Sequence, residues 1–262
     1  MKKTLQFISL FILVSPCFAQ VQKVAISSDG IALNAYFYQA AGDEAKPTLI
    51  WCHGNPGRPE NGESPFAIEL NQRGINVVRF NYRGLWGTDG VYTPGNCAKD
   101  LQNVLAFVLK DENSTKFHID TSRVIVGGYS HGSNITIVSA MYDTRIDQII
   151  CLGLADFSYL IRETFNPNNA GMRKFSQEVK DAIWGDANSG QGTFARDYDK
   201  YVFDILFNNY KYDFVAQAEK LKNKRMYFIC PARKEPRWWR AGFTANDRAH
   251  KHSAGKALSF NK

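Results

Sequence analysis

Val124-Ile125-Val126-Gly127-Gly128-Tyr129-Ser130-His131-Gly132 runs from a β-branched triplet through a glycine-rich turn into the apolar stretch Ile135 to Met141. β-branched residues suit a pleated strand, and the apolar stretch beyond Gly132 reads as a helix, so the pattern predicts a strand, a sharp turn and a helix. Gly128-Tyr129-Ser130-His131-Gly132 has the spacing G-x-S-x-G. A turn that sharp needs glycine on both sides, because a Cβ there collides with neighbouring backbone. It projects the Ser130 hydroxyl above the carboxyl edge of a sheet, beside a helix N-terminus that favours developing negative charge. Ser130 is therefore the candidate nucleophile.

Some 75 residues upstream, the apolar run Thr48 to Cys52 ends in His53-Gly54-Asn55-Pro56-Gly57. A tetrahedral oxyanion needs two preorganised N–H donors. This loop can bring one of them, from Asn55, beside the backbone N–H of His131; Pro56 has none to give. Gly54, Gly57, Gly128 and Gly132 are the motif glycines of the two turns.

Elsewhere, Val21 to Ser27 and Ile31 to Gln39 alternate apolar and polar residues around Asp29-Gly30, a hairpin signal. Pro65 to Gln72 has helical character and ends at Gly74, Ile75 to Asn81 is a strand, and Leu101, Val104, Leu105, Val108 and Leu109 mark one face of an amphipathic helix. Strands follow at Ile149 to Leu154 and Met226 to Cys230, and a helix from Thr244 to Lys251 leads to a last strand, Ala257 to Phe260. Alternation of strands and helices predicts βαβ units: an α/β fold with a mostly parallel sheet and helices on both faces. Residues 157 to about 222, with Phe157, Tyr159, Phe165, Trp184 and Phe194 among polar residues and Tyr198, Tyr201, Val202, Ile205 and Leu206 at helical spacing, read as a helical lid insertion.

These motifs together resemble the alpha/beta hydrolase superfamily, in particular its secreted esterase, dienelactone-hydrolase and serine-aminopeptidase-like members, over most of residues 45 to 155 and again at 225 to 260. Asn81-Tyr82-Arg83-Gly84 with Gly87-Thr88-Asp89-Gly90 is similar to the family's loop after the second parallel strand, and Asp100 stands at a place often acidic there. Arg83 and Asp89 are read as loop-pinning residues rather than chemical ones. The resemblance implies a triad acid after the strand ending at Cys230, but Lys234 stands at the expected position; Glu235, one residue late, and Asp156, after the preceding strand, are the alternatives. It also implies a histidine after the last strand, where only Asn261 and Lys262 follow. His250 and His252 fall at the wrong edge of the sheet, and His53, His118 and His131 do not fit either. The chain reads as truncated there, hence as a weak or inactive hydrolase.

The chain has 262 residues, 44% hydrophobic and 22% charged, which supplies one sizeable core and excludes a disordered or collagen-like chain. Its net charge of +7 includes no run of five basic residues, so no nucleic-acid partner is expected. Lys2-Lys3, the short apolar run Leu5 to Val14, Pro16 and Ala19 read as a bacterial-type signal peptide, residues 1–19, cleaved before Gln20; the mature chain would be periplasmic or secreted, with no transmembrane segment. Cys17 after Pro16 is not read as a lipid anchor, and the pairing of Cys52, Cys97, Cys151 and Cys230 stays open. The sequons at Asn113 and Asn134 are read as chance. Arg233 to Arg240, with Trp238 and Trp239, reads as a diverged loop rather than a basic docking surface. The expected reaction is cleavage of a carboxylic ester or related acyl bond through an acyl-enzyme on Ser130, with a small-molecule acyl substrate and no metal or organic cofactor. The rivals are a peptidase or amidase of the same fold and a non-catalytic binding module that keeps the fold.

Overall fold

The computed structural model describes residues 20–55, 57–154, 198–214 and 216–229, with 159, 162–163, 166–171 and 173–174 between them. The segment 1–19, the aromatics Phe157, Phe165, Trp184 and Phe194, Cys230, the run 233–240, and the helix and strand expected after Thr244 lie outside the described residues. The strands are β1 (Gln20–Ser28), β2 (Ile31–Gln39), β3 (Lys46–Cys52), β4 (Asn76–Phe80), β5 (Ile119–Tyr129), β6 (Gln148–Leu152) and β7 (Arg225–Ile229). They form one sheet in the order β1-β2-β4-β3-β5-β6-β7. β1 and β2 pair antiparallel, as do β2 and β4, while every pairing from β4 to β7 is parallel. This is the expected mostly parallel α/β architecture.

Local chemistry explains where the elements begin and end. In the β1–β2 turn Asp29 and Gly30 take φ values of 52° and 83°, the left-handed pair that a two-residue hairpin needs. Helix α1 (Pro65–Gln72) starts after Ser64, whose Oγ accepts from the Ala67 N–H at 3.3 Å, and gives way to Gly74 at φ 76°. Helix α2 (Pro94–Leu109) starts seven residues before the expected Leu101, because Thr93 caps it through the Asn96 N–H and Pro94 takes the first position. Its Leu101, Val104, Leu105 and Val108 are buried as their spacing predicts. Helix α3 (Asp111–Lys116) buries nothing, so no apolar period announced it. β5 extends beyond the Val124–Val126 triplet to Ile119, with a shift of register against β3 between Lys46 and Thr48. Helix α4 (His131–Tyr142) follows the turn at Ser130.

Past residue 197 come α5 (Tyr198–Phe207), α6 (Asn209–Tyr212), a 3-10 turn at Ala218–Leu221, and β7. On α5, Tyr201, Val202 and Ile205 are buried as expected, but Leu206 points outward at 44% exposure. No described helix is long and apolar enough to cross a membrane.

Neighbouring strand residues feed two cores. Phe37 and Val78 join the large cluster with Leu101, Leu105, Ile135 and Ile149, whereas Tyr38 and Val77 join a smaller one with Ala67 of α1. Helices therefore cover both faces, and the central strands are apolar on both sides. Arg83, after β4, ties the layers together. Its backbone N–H and its Nε reach the two Asp100 carboxylate oxygens at 2.9 and 2.7 Å, and its Nη2 reaches Ser28 Oγ at 2.6 Å and Asp29 at 3.1 Å. Burial raises the pKa of the Asp100 carboxyl even beside the guanidinium. Removing one partner from such a pair strands the other in a low-dielectric setting, at a cost of roughly 3–5 kcal/mol. Asp100→Ala should accordingly lower the thermal midpoint by about 10 °C at 2–4 °C per kcal/mol, whereas Asp89→Ala, with its exposed side chain, should shift it by no more than about 1 °C. Thermal unfolding followed by circular dichroism checks both.

Candidate functional site

The carboxyl ends of β3, β5 and β6 lie side by side, with Cys52 in register with Gly128 and Tyr129 in register with Leu152. Ser130 follows directly. Its backbone stands at φ 53°, ψ −114°, a conformation rarely open to a residue with a side chain, and its N–H is tied to the Leu152 carbonyl at 2.9 Å. Its carbonyl accepts from the Ser133 N–H at 3.0 Å, starting α4, while its own hydroxyl makes no capping bond. Ser133 Oγ staples the first turn of α4 to the strand ends through the Gly128 and Leu152 carbonyls, at 2.7 and 3.0 Å. The serine hydroxyl thus sits at the strand-to-helix turn, as expected.

The motif glycines are required by contact. A Cβ on Gly128 would overlap the backbone of Gly132, and one on Gly132 would overlap the Cys52 carbonyl. A Cβ on Gly54 would come within 2.9 Å of the Tyr129 ring and 3.3 Å of its carbonyl oxygen, so the His53–Asn55 loop lies against the residue preceding Ser130. Gly57, at φ 74°, packs on the His53 imidazole so closely that a Cβ would overlap it. Asn55 is half-buried, and its Oδ1 is buried with no hydrogen bond.

A second tier of side chains, not singled out for the site from the sequence, holds this loop. Asn81 Oδ1 accepts from the Glu60 N–H at 2.8 Å and from Asn34 Nδ2 at 3.0 Å, and Asn81 Nδ2 donates to the Arg58 carbonyl at 2.9 Å. Arg79 reaches the buried Glu60 carboxylate at 2.6 Å. The signal was there in part, since Asn81 opens the motif Asn81-Tyr82-Arg83-Gly84. Farther along that motif, Gly84 at φ 75° donates to the Thr88 and Asp89 carbonyls, and a Cβ on it would lie 2.5 Å from the Tyr92 nitrogen.

The described histidines separate. His118 lies at the opposite edge of the sheet, where its carbonyl accepts from Lys46 and its Nδ1 meets the Asp43 carbonyl at 2.5 Å. His53 turns its Nδ1 to the Gly54 carbonyl at 2.6 Å and packs against Tyr82 with ring centroids 4.5 Å apart, tilted by 50°. The His131 ring lies below the turn among Tyr82, Tyr92 and Tyr201, its Nδ1 3.1 Å from the Tyr201 hydroxyl. Its backbone N–H occupies the first position of α4, where a helix offers no acceptor of its own. The proposed acids Asp156 and Glu235, together with His250 and His252, lie outside the described residues. Cys52, Cys97 and Cys151 are buried and unpaired, and burial pushes the Cys52 thiol up to about 12. Asn134 is buried inside α4, in keeping with a chance sequon. Among the described residues no three ligating side chains come close enough to hold a metal ion.

Burial lowers the pKa of His53 to about 4 and that of His131 to about 3. Both are neutral in the folded protein at neutral pH, while in the unfolded chain they take up protons near pH 6.5. The unfolded state therefore binds more protons below that value, and stability falls as the pH falls. Acidification from pH 7.5 to 5.5 should cost about 3 kcal/mol for the two together, at about 1.4 kcal/mol per unit for each below its unfolded pKa. Glu60 and Asp100, whose carboxyls burial raises, act in the opposite sense toward the acid end. Urea unfolding at several pH values checks the slope; a midpoint that holds or rises over this interval would contradict the burial of the two rings.

No family model matches the sequence. The chain is 30% identical over 112 residues to an alpha/beta hydrolase domain-containing protein of Arabidopsis thaliana, a match that covers 43% of this chain and 35% of that protein. It thus spans about a third of that relative's length. Among solved structures, a hypothetical protein from Pseudomonas aeruginosa superposes with a TM-score of 0.58 at 15% identity, covering 96% of this chain and 88% of that one. An acetyl xylan esterase from Paenibacillus gives a TM-score of 0.55 at 15% identity, over 92% and 80% of the two chains. Identity at that level speaks to architecture, and the architecture agrees with the strand order and with the turn at Ser130: this chain has the alpha/beta hydrolase fold.

Proposed function

We propose that the protein is a serine hydrolase that cleaves a carboxylic ester or related acyl bond through an acyl-enzyme on Ser130. The observation that carries this reading is the backbone of Ser130, held at φ 53°, ψ −114° between β5 and α4 with the His53–Asn55 loop against it. A non-glycine residue is kept in such a conformation only where the surroundings over-determine it, and here it lifts a hydroxyl to the mouth of a helix N-terminus. In the reaction the Ser130 oxygen attacks the acyl carbon as its proton passes to a general base outside the described residues, and the carbonyl electrons move onto oxygen. The oxyanion takes hydrogen bonds from the His131 N–H and from the loop at Asn55. Collapse expels the alcohol, which takes that proton back from the base; water then attacks the acyl-enzyme, giving its own proton to the same base, and release of the acid returns the proton to Ser130.

Asp156 and Glu235 remain the proposed alternatives for the acid that orients a base. His53 and His131 are not that base in this reading, since each turns a ring nitrogen to a partner within the protein and both are buried. Incubation with a fluorophosphonate probe should label the chain at Ser130, and Ser130→Ala should abolish both labelling and turnover of p-nitrophenyl acetate, a turnover expected to be weak where no base for Ser130 stands among the described residues. Labelling that persists in Ser130→Ala would refute the assignment. Comparing that ester with an aminoacyl p-nitroanilide separates an esterase from a peptidase or amidase.

Export through cleavage of residues 1–19, with delivery to the periplasm or medium, is the companion proposal. It is supported by Lys2-Lys3, the short apolar run Leu5 to Val14 and the small residue Ala19 before Gln20. Protein recovered from the periplasm or medium of a bacterial host should start at Gln20 on Edman sequencing. Retention of Met1 would overturn this.

A further inference from the structure

Among the described residues, the nucleophile turn meets the segment beyond residue 197 at a polar contact. The hydroxyl of Tyr201, on α5, lies 3.1 Å from Nδ1 of His131, the residue after Ser130. Tyr201 is 7% exposed and His131 1%, so water does not compete for the bond. Tyr92 stacks on Tyr201 at 5.4 Å with an interplanar angle of 22°, and Tyr82 meets the imidazole edge-on at 5.7 Å, which leaves the ring little room to turn.

The same face of α5 is anchored one turn farther on. Asp204, one turn along from Tyr201, accepts the Gly95 N–H in the first turn of α2 at 2.7 Å and the Tyr212 hydroxyl at 2.9 Å, and takes Asn208 Nδ2 at 2.7 Å. A carboxylate at a helix N-terminus is well placed for the helix dipole. The Tyr201 hydroxyl is thereby presented by a braced helix rather than by a loose loop.

We propose that Tyr201 is a positioning residue for the oxyanion donor: by holding the His131 side chain, it fixes the peptide whose N–H faces the developing negative charge. This rests on the serine-hydrolase reading above. Hydrogen-bond donors act in catalysis through preorganisation, and a donor whose peptide can rock loses much of its worth in the transition state while substrate binding is barely touched. The neutral imidazole suits the role, because a cation in its place would need a counter-charge that the surrounding tyrosines do not offer.

The test compares wild type, Tyr201→Phe, His131→Leu and the double variant on p-nitrophenyl acetate, with fluorophosphonate labelling of Ser130 and thermal melting run on each. Tyr201→Phe keeps the ring and removes one oxygen. We expect kcat to fall by about tenfold, short of the 10²–10³ seen when a donor is lost outright, with KM within about twofold. His131→Leu should cost a comparable factor, and adding Tyr201→Phe to it should cost nothing further, because the hydroxyl's route to the Ser130–His131 peptide is then already lost. A bond that only stabilises the fold would lower the melting midpoint and leave kcat of the folded fraction, counted by the labelled serine, unchanged. Full kcat in Tyr201→Phe, or losses that multiply in the double variant, overturns the coupling alone. Wild-type protein that neither labels at Ser130 nor turns over the ester overturns the hydrolase reading, and this proposal with it.

Discussion

The closest backbone approach at the site, between Gly132 in the first turn of α4 and the carbonyl end of β3 at Cys52, sets the geometry of everything around it. No side-chain atom fits between them. Because the helix starts in contact with the strand end, the chain between β5 and α4 must reverse within the single residue Ser130, and that residue takes the strained φ. The same contact brings the loop that leaves β3 to the lip of the helix, with Gly54 against Tyr129. Ser133, one residue past Gly132, uses its hydroxyl to fasten the turn to the carbonyls of β5 and β6. Strain at one residue is thus balanced by hydrogen bonds and packing at its neighbours, the usual arrangement where an unusual backbone persists.

Around this contact the polar residues after β4 act as ties between segments remote in sequence. Asn81 binds the loop of Arg58 and Glu60 to β2, and Arg83 binds the β1–β2 turn to α2. Both follow a strand that ends at the same edge as β3, so two residues of the motif, separated by Tyr82, brace the loop that follows β3 and the helix behind it. Buried groups of this kind add little net stability over an apolar core, but they define which loop conformation is populated. The interior supplies cohesion, and these ties supply register at the edge where the chemistry is proposed.

The sequence made most of this architecture legible, for identifiable physical reasons. Glycine spacing around Ser130 exposed the turn because no other residue type survives the approach of Gly128 to Gly132 or of Gly132 to Cys52. The apolar stripe of α2 exposed its buried face, yet its first seven residues went unread: Gly95 and Asn96 are poor helix formers, and the start is set by the Thr93 cap and Pro94. Helix α3 left no trace because it buries nothing. Leu206 matched the helical period of Tyr201 and Val202 but faces outward, since periodicity fixes a stripe only to within a residue on either side. Contacts between remote segments, such as Tyr201 with His131 or Asp204 with Gly95, had no signature in a single sequence, because no local pattern links the two partners.

The histidines bordering the turn bear on how charge is managed there. With pKa values of about 4 and about 3, His53 and His131 carry no charge at neutral pH, and burial is the leading cause for both. An imidazolium beside Ser130 would stabilise an oxyanion, but it would also attract water and anions to the turn in the resting protein. Fixed dipoles avoid this. In the proposed reaction the His131 N–H at the head of α4 and the loop at Asn55 would meet developing negative charge without reorganising. The surroundings agree with that division of labour: Tyr82 and Tyr92 enclose the His131 ring in a low-dielectric layer beneath the turn, where the field of an aligned N–H is least screened. Under the proposed reaction, then, the negative charge developing on the substrate oxygen beside Ser130 would be met by backbone geometry, with the buried rings next to it keeping that geometry still.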